Sequence, residues 1–325
     1  MADAIPHLIL PTRVEKQGIK YPRTGLDDGA HHAIARTLRS GEKEAGVLEE
    51  LSKEIADWPE TVVISSEELD SLSPPAVLRF RDTLAATTEQ LQVVIYLRPQ
   101  YSLIRSQYSQ QIREAFIRDP FDVFFRNALR HARFLKLEEI VDPWIEAFGK
   151  ARVTVRSAVR KDLKGGSTLT DFVDLLGLHE EISEASLGIS RVANESLNLM
   201  QCEVIRRLSW TDQFWDLPFG TRRKILVRVF GRCNAIRALH VRRDPLDFRG
   251  LALCRQLFHE ENARLAGKYF SGTNVMDRWY AEQMEKDGET GPMPSDAIDW
   301  DEIYAAFSSE IHAAAGPDSA RRFER

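Results

Sequence analysis

The stretch VVIYLRPQYSLIRSQYSQ, from Val93 to Gln110, decides the fold that this chain is expected to adopt. Its first residues form a short apolar run rich in β-branched side chains, which is typical of a buried strand in a parallel sheet. Residues 101–116 then place apolar side chains at helical spacing and predict an amphipathic helix. Arg98 therefore lies at the predicted end of the strand, and Ser106 lies eight residues later on the helix.

Two further apolar runs have the same character, and helical patterns lie between the three runs. Strands that alternate with helices are the signature of βαβ units. The sequence thus predicts an α/β fold in which a parallel sheet is flanked by helices, with a helical C-terminal part from about residue 196. The predicted strands are Thr61–Ser65, Gln92–Leu97 and Arg152–Ser157, with His7–Leu10 as a fourth candidate.

Further helices are predicted wherever apolar residues recur at helical spacing. They are His31–Leu38, Glu44–Ile55, Ala76–Ala85, Phe121–Phe134, Leu137–Phe148, Leu169–Leu176, Leu197–Leu208, Gly220–Leu239, Gly250–Tyr269 and Asp301–Ala315. The polar segment Lys286–Pro294 is predicted to be a linker. We expect residues 1–270 to form one α/β domain, and residues 271–325 to add a linker and a final helix.

The composition is that of a globular protein. Of the 325 residues, 43% are hydrophobic and 29% are charged, which excludes wholesale disorder. The net charge of −5 provides no global cationic field, so we expect no nucleic-acid partner. The basic clusters Arg222–Lys224 and Arg237–Arg243 are interpreted as solvated helix faces. Trp210 and Trp215 are interpreted as core or partner-patch residues, since no basic–aromatic alternation accompanies them.

The cysteines and the apolar runs bear on where the protein resides. Cys202, Cys233 and Cys254 are odd in number and lack CxxC spacing, which favours buried free thiols over disulfides or a structural zinc site. No apolar run approaches the roughly 20 residues of a membrane span. The apolar run near the N-terminus is also too short for a signal peptide. We therefore expect a cytoplasmic protein without a membrane span.

Arg98 and Ser106 are the candidate anion-binding residues. Ligands of open α/β sheets bind outside the carboxyl ends of the strands, where a following helix presents free N–H groups and the positive end of its dipole. An arginine adds a forked donor for phosphate oxygens. Spacing alone is a weak signal, however, and favours the plainer interpretation of a surface ion pair and a solvent-facing hydroxyl.

The surrounding sequence resembles the bacterial sulfotransferase-like family. In that family a strand-end arginine and a serine eight residues later bind the 3′-phosphate of 3′-phosphoadenylyl sulfate. Other segments resemble the family in the same order, from about Gln17 to Tyr269. They are QGIKYPRTG (17–25), GAHH (29–32), VVISSEEL (62–69), WIEAFGKARVTVR (144–156), LTDFVDLLGL (169–178) and ANESLN (193–198).

This resemblance implies a P-loop NTPase/sulfotransferase-like fold and a defined chemistry. A sulfuryl group would pass from 3′-phosphoadenylyl sulfate, the donor substrate, to a hydroxyl acceptor such as a saccharide or another small molecule. Arg98 and Ser106 would bind the 3′-phosphate of the donor. The chemistry requires no metal.

The chain departs from the family at the loop that grips the 5′-phosphosulfate. Family members carry a loop of the type P-K-T-G-T-T after the first strand, whereas His7–Leu10 runs directly into Pro11–Gly25, which resembles the end of the helix after that loop. No G-x-x-x-x-G-K-[ST] pattern occurs either, which argues against a kinase. Removing a single oxyanion donor typically costs about 10²–10³ in rate. We therefore expect little or no transfer, with a non-catalytic nucleotide-binding or scaffold protein as the alternative.

Transfer to a hydroxyl requires a general base, and the family uses a histidine or a glutamate. Glu67, just past a predicted strand, and His32, beside His31 in the GAHH segment, are the candidates. The alternative role of Glu67 is a carboxylate at a helix N-terminus with Ser65 or Ser66 as the cap. The alternative for the histidines is a structural role.

The missing loop has a structural consequence as well. We expect His7–Leu10 to fill the central position of the sheet and to leave an apolar trough where the loop and its helix would lie. An exposed apolar trough favours association, so a homodimer is expected.

Overall fold

The computed structural model describes residues 18–27, 29–40, 45–88, 90–178, 197–209, 212–235 and 248–287, together with 305 and 307–309. The predicted strand His7–Leu10, the trough beside it and the cluster Arg237–Arg243 lie outside the described residues. So do Trp210 and most of the predicted helix Asp301–Ala315.

The structure is mostly helical with small parallel sheets, which places it in the α/β class. In chain order the first elements are β1 Ile19–Lys20, α1 His32–Ser40, α2 Ala45–Ile55, β2 Thr61–Val62, α3 Pro74–Ala85, β3 Val93–Leu97, α4 Gln100–Arg113, α5 Phe121–His131, α6 Leu137–Phe148, β4 Val153–Ser157 and α7 Thr168–Leu175. They are followed by α8 Leu199–Leu208, α9 Asp212–Trp215, α10 Phe219–Ala235, α11 Phe248–Leu257, α12 His259–Tyr269 and α13 Val275–Asp287.

The four strands of the described residues form two parallel pairs. In one pair β1 lies beside β2, with Ile19 opposite Thr61. In the other β3 lies beside β4, in register from Val93 opposite Val153 to Leu97 opposite Ser157. All three of the predicted strands that fall on described residues are therefore present, although β2 is shorter than predicted.

The first strand corrects one expectation. The segment around Ile19 was expected to be the end of a helix, but it is extended and pairs with β2. The backbone N–H of Val63 donates to the carbonyl of Lys20 at 2.9 Å, and that of Thr61 donates to the carbonyl of Gly18 at 3.2 Å. These ladder bonds require an extended backbone on both sides.

Two helix predictions also need correction. Residues 250–269, predicted as one helix, form α11 and α12 with a break at Phe258. Lys286, which was predicted to be the first residue of a linker, lies inside α13. The hydrophobic pattern of the sequence did not predict this helix. In α13 the buried apolar side chains, Val275, Met276 and Tyr280, all fall in its first half, so the amphipathic signal is weak.

The chain divides into two compact units made of alternating segments. One consists of Met1–Pro99, Arg133–Glu195 and His259–Asp277, and the other of Gln100–Ala132, Ser196–Phe258 and Arg278–Arg325. The predicted domain boundary after residue 270 stays a prediction. In the part of the chain that the structure describes, no helix combines the length and the apolar character needed to cross a bilayer.

The core of the first unit lies between helices α1, α2, α3 and α6 and the strands. Its buried side chains include those of Ile34, Leu51, Phe80, Trp144 and Val153. Phe80 and Trp144 pack edge to face, with ring centroids 6.3 Å apart, which is a favoured aromatic geometry. This core supports the strands at whose ends candidate residues lie and the helix α1, which begins at His32.

The second unit has a separate core formed mainly by helices α4, α8 and α10. Tyr108, Ile205 and Ile225 are among its buried side chains. Cys202 and Cys254 are buried free thiols, as predicted, and the side chain of Cys233 lies outside the described residues. Burial raises the pKa of the Cys202 thiol to about 12, so it remains protonated and inert.

One buried carboxylate joins both strands of the longer pair to α7. Asp171 is only 1% exposed and accepts hydrogen bonds from the Tyr96 hydroxyl at 2.7 Å, the Arg156 guanidinium at 2.6 Å and the Lys164 backbone N–H at 3.0 Å. Tyr96 and Arg156 are register partners, so both side chains lie on the same face. Burial raises the pKa of Asp171, but these donors outweigh burial and hold it below its ordinary value.

We expect Asp171→Asn to lower the free energy of unfolding by about 3 kcal/mol, because it removes a buried charge that three donors share. The carboxylate stabilises the fold above its ordinary pKa of 3.8, and this contribution is lost as the pH falls through the lowered folded pKa. The difference between wild type and variant should therefore shrink as the pH falls below 3.8. Chemical denaturation across a pH series measures this.

Asp82→Asn is the matched control, because Asp82 is 64% exposed and pairs with its neighbour Arg81 at the surface. Its loss should cost less than about 0.5 kcal/mol. Equal destabilisation by the two substitutions would contradict the assignment of Asp171 as a buried anchor.

Candidate functional site

The candidate site lies just beyond the carboxyl end of β2. There Ser66 caps a 3₁₀ turn, Glu67–Ser71, because its hydroxyl oxygen accepts the backbone N–H of Glu68 at 3.1 Å. The cap places Glu67 and Glu68 in the first turn, where free N–H groups favour carboxylates. The serine cap predicted as the alternative role for this segment is thus present.

The beginning of α1 is bound to the end of β2 by backbone hydrogen bonds. The N–H of His31 donates to the carbonyl of Ser65 at 2.8 Å, and the N–H of Ala33 donates to the carbonyl of Gly25 at 3.2 Å. Gly25 has a φ of +78°, and a Cβ there would lie 2.5 Å from Cγ1 of Ile34, so only glycine fits. These contacts hold His32, the first residue of α1, beside the 3₁₀ turn.

The two candidate bases, far apart in sequence, therefore lie together. Nε2 of His32 lies 3.6 Å from Oε2 of Glu67, and Nδ1 of His32 lies 2.8 Å from the hydroxyl oxygen of Ser66. The His32 side chain is 12% exposed and the Glu67 side chain 28%. The pair is thus largely sheltered, yet Glu67 remains accessible from solvent.

The contacts of Ser66 favour one proton arrangement. Because its oxygen already accepts the Glu68 N–H, its own hydroxyl proton is available to donate to Nδ1 of His32. Neutral His32 then carries its proton on Nε2, which faces the Glu67 carboxylate. The 3.6 Å between Nε2 of His32 and Oε2 of Glu67 is an ion-pair distance and is longer than a hydrogen bond.

Glu68 shares His32 with Glu67, because its Oε1 lies 3.6 Å from Nδ1 of His32, but it also has arginine partners. Its carboxylate contacts the guanidinium of Arg39 and lies 3.6 Å from that of Arg36. Among the described residues, the ion-pair partner of Glu67 is His32. Glu68 therefore lies beside two arginines of α1 in addition to His32.

His31 has a structural role. Its Nε2 lies 3.0 Å from the carbonyl oxygen of Pro22 and donates to it, while Nδ1 accepts the Ser65 backbone N–H at 3.2 Å. The Tyr21 ring packs against it, with centroids 4.4 Å apart. Burial, the largest effect, lowers the pKa of His31 below 6.5 despite the opposing hydrogen bonds. His31 therefore has the structural role that was given above as the alternative to catalysis for the histidines.

The candidate donor-binding residues fall in different units. Arg98 follows the last residue of β3 in the first unit, and Ser106 is a buried residue on the second turn of α4 in the second unit. Each residue lies on the element predicted for it. Their joint role on a 3′-phosphate stays a prediction.

Arg36 and Arg39 are the site residues that the sequence analysis missed. They follow His32 by four and seven residues on α1, and a helix places such positions on one face. The spacing of these arginines from His32 could therefore have predicted that they lie at the same site. In the described part of the chain, no cluster of three or more histidine, cysteine or acidic side chains is placed to hold a metal ion.

Comparisons with known proteins give little further information. An uncharacterized protein of Archaeoglobus fulgidus is 26% identical over 152 residues, which is 42% of this chain and 39% of that protein. The chain thus spans well under half of the relative that it matches. No protein-family model matches the chain. No solved structure matches it.

We expect the stability of the protein to fall as the pH drops below 6.5, the ordinary value for histidine. The pKa of His31 is lowered in the fold, so the unfolded chain binds a proton that the folded chain does not. Denaturation at a series of pH values should show this slope, and NMR should place the titration of His31 below 6.5. His31→Gln should flatten the slope.

His259→Gln is the control, because that side chain is 63% exposed. It should leave the pH dependence unchanged. A His31 ring that titrates at or above 6.5 would contradict a buried neutral histidine at this position.

Proposed function

We propose that the chain is a sulfotransferase-like protein, with a P-loop NTPase/sulfotransferase-like fold, that transfers a sulfuryl group from 3′-phosphoadenylyl sulfate to a hydroxyl acceptor such as a saccharide. The observation that carries this proposal is the meeting of Glu67 and His32, 3.6 Å apart, beyond the carboxyl end of β2. Each was a candidate base by family resemblance. Ligands of parallel α/β sheets bind at this end of the strands, which supports the assignment.

In the proposed reaction the acceptor oxygen attacks the sulfur of the donor. The bond between the sulfur and the 5′-phosphate oxygen breaks, and its electron pair leaves with 3′,5′-bisphosphoadenosine. The Glu67 carboxylate takes the proton of the acceptor hydroxyl, and His32 lies beside it at 3.6 Å. A general base of this kind contributes roughly 10²–10⁴ in rate.

On the donor side Arg98 is suited to a phosphate. It follows β3 directly, and a forked guanidinium binds phosphate oxygens in two parallel hydrogen bonds. The role of Ser106 on the same phosphate comes from the family resemblance alone. For the phosphosulfate end, the sequence supplies no loop of the family type.

That missing loop favours a second candidate function. A non-catalytic protein would retain the 3′-phosphate site at Arg98 and bind nucleotide without transferring sulfate. Transfer needs preorganised donors around the sulfuryl group, whereas binding of the 3′-phosphate does not. The two functions therefore differ in a measurable way.

For the base, we expect Glu67→Gln to lower kcat by about 10²–10⁴ with little change in the KM for the donor, because it removes proton acceptance alone. The adjacent Glu68→Gln is the matched control, because Glu68 lies equally close to His32 but is paired with arginines, and it should retain most of the activity. Release of 3′,5′-bisphosphoadenosine in the presence of a panel of hydroxylated acceptors provides the assay. Equal losses in the two variants would argue against Glu67 as the base.

For the donor site, we expect 3′,5′-bisphosphoadenosine to bind the wild-type chain in a calorimetric titration. Arg98→Ala should weaken binding about 10–100-fold, the equivalent of one charge-assisted arginine contact. Arg126→Ala, which removes an exposed arginine of a surface ion pair, should have no effect. Binding without sulfate transfer would select the non-catalytic function. A wild-type chain that does not bind the nucleotide would refute both.

A further inference from the structure

One segment of the first unit, residues 21–25, joins the two elements that form the candidate site. At one end of the segment the Tyr21 hydroxyl lies 2.7 Å from the Ser65 hydroxyl, which is a hydrogen-bond distance. Ser65 directly precedes Ser66, the cap of the 3₁₀ turn, so this contact binds the segment beside that turn. We call residues 21–25 the bridging segment.

The other end of the bridging segment contacts the beginning of α1. The carbonyl of Pro22 accepts the Nε2–H of His31 at 3.0 Å, and the carbonyl of Gly25 accepts the N–H of Ala33 at 3.2 Å. His31 and Ala33 are the two neighbours of His32 in the chain. The position of His32 beside the 3₁₀ turn therefore depends on the position of the bridging segment.

A carboxylate of α2 binds the backbone of the bridging segment. Oε1 of Glu54 accepts the N–H of Arg23 at 2.8 Å, and Oε2 accepts the N–H of Thr24 at 2.9 Å. The Thr24 hydroxyl adds a further hydrogen bond to the same carboxylate. Each carboxylate oxygen thus has its own backbone donor, and charge-assisted bonds of this kind are roughly twice as strong as neutral ones.

The negative charge of Glu54 is part of this arrangement. Burial, the largest effect, raises the pKa of Glu54, but the donors of Arg23 and Thr24 and the nearby His31 outweigh burial and hold the pKa below its ordinary value. Glu54 is therefore ionised at neutral pH. Consecutive backbone N–H groups in a turn form a site for an anion, and in this fold the anion is the Glu54 side chain.

The packing of α2 against α1 comes from apolar side chains. Leu51 and Ile55 flank Glu54 on the helix and are buried in the core of the first unit, together with Ile34 and Leu38 of α1. These contacts hold the two helices together. Loss of the Glu54 carboxylate should therefore release the bridging segment and leave the helices in place.

We infer that Glu54 is a positioning residue, whose carboxylate holds the bridging segment and through it holds His32 beside Glu67. It acts through the backbone of residues 21–25 and not by contact with a substrate. As a contribution to sulfuryl transfer this role rests on the proposed function. The placement of His32 is a property of the fold and is measured without any assay of transfer.

The first test is Glu54→Gln, which keeps the size of the side chain but turns an amide N–H toward a backbone N–H, so that one bond to the bridging segment is lost. We expect the NMR signals of the His32 ring to shift while circular dichroism shows the fold retained. We also expect kcat for sulfuryl transfer to fall about 10–100-fold with the KM for the donor unchanged, since a displacement of about 1 Å can cost about 10² in rate.

Chemical rescue separates positioning from general stability. Glu54→Ala removes the carbon and the carboxyl group that acetate can replace. We expect acetate, but not chloride at the same concentration, to return the His32 signals and kcat of this variant toward the wild-type values. Glu49→Gln is the matched control, because Glu49 lies on the same helix, is 69% exposed and pairs with Lys53. It should behave as the wild type does in each measurement.

The outcomes for Glu54 and for the proposed function are distinct. His32 signals that are identical in the wild type and in Glu54→Gln would overturn the inference, whether or not the wild type transfers sulfate. A shift in Glu54→Ala that acetate does not reverse, or loss of the whole fold in both variants, would also overturn it and assign Glu54 to stability alone. A wild-type chain without transfer, whose variants show the shift and its reversal, would refute the proposed function and support the placement of His32 by Glu54.

Discussion

A buried negative charge must be paired, and the first unit depends on how Asp171 meets this requirement. Its donors come from β3, β4 and the segment before α7. A slip of one residue between the strands would move Tyr96 or Arg156 to the opposite face and remove one of the three donors of the carboxylate. The charge thus fixes the strand register. The same register sets where β3 ends, and therefore where Arg98 stands.

Local periodicity predicted most elements, because burial on one face of a helix or strand leaves a pattern within a few residues. The strands β3 and β4 and the helix α6 were predicted nearly to the residue. Where burial is confined to one end of an element, as in α13, that pattern is weak. β1 is only two residues long and exists because β2 lies beside it. Its short sequence carries no periodicity of its own.

The candidate site likewise combines features that the local sequence predicts with one that depends on contacts between distant segments. The sequence identified Glu67 and His32 separately, each from its place near a strand end, but it contained no signal that they meet. Their contact depends on backbone hydrogen bonds between segments more than thirty residues apart. Net charge is equally uninformative about local surfaces. Lys224 is exposed on its helix as predicted, whereas Arg222, in the same cluster, stacks on Trp215.

The alternation of the two units along the chain affects how the protein is made. Six segments alternate between them, and each unit needs a segment from the last quarter of the chain. During translation, therefore, neither unit is complete until most of the polypeptide has left the ribosome, and partly formed cores stay exposed for much of synthesis. Protection by chaperones at that stage matters more here than for a protein whose domains emerge one after the other. For the same reason, neither unit is encoded by a continuous stretch of the gene that recombination could transfer intact.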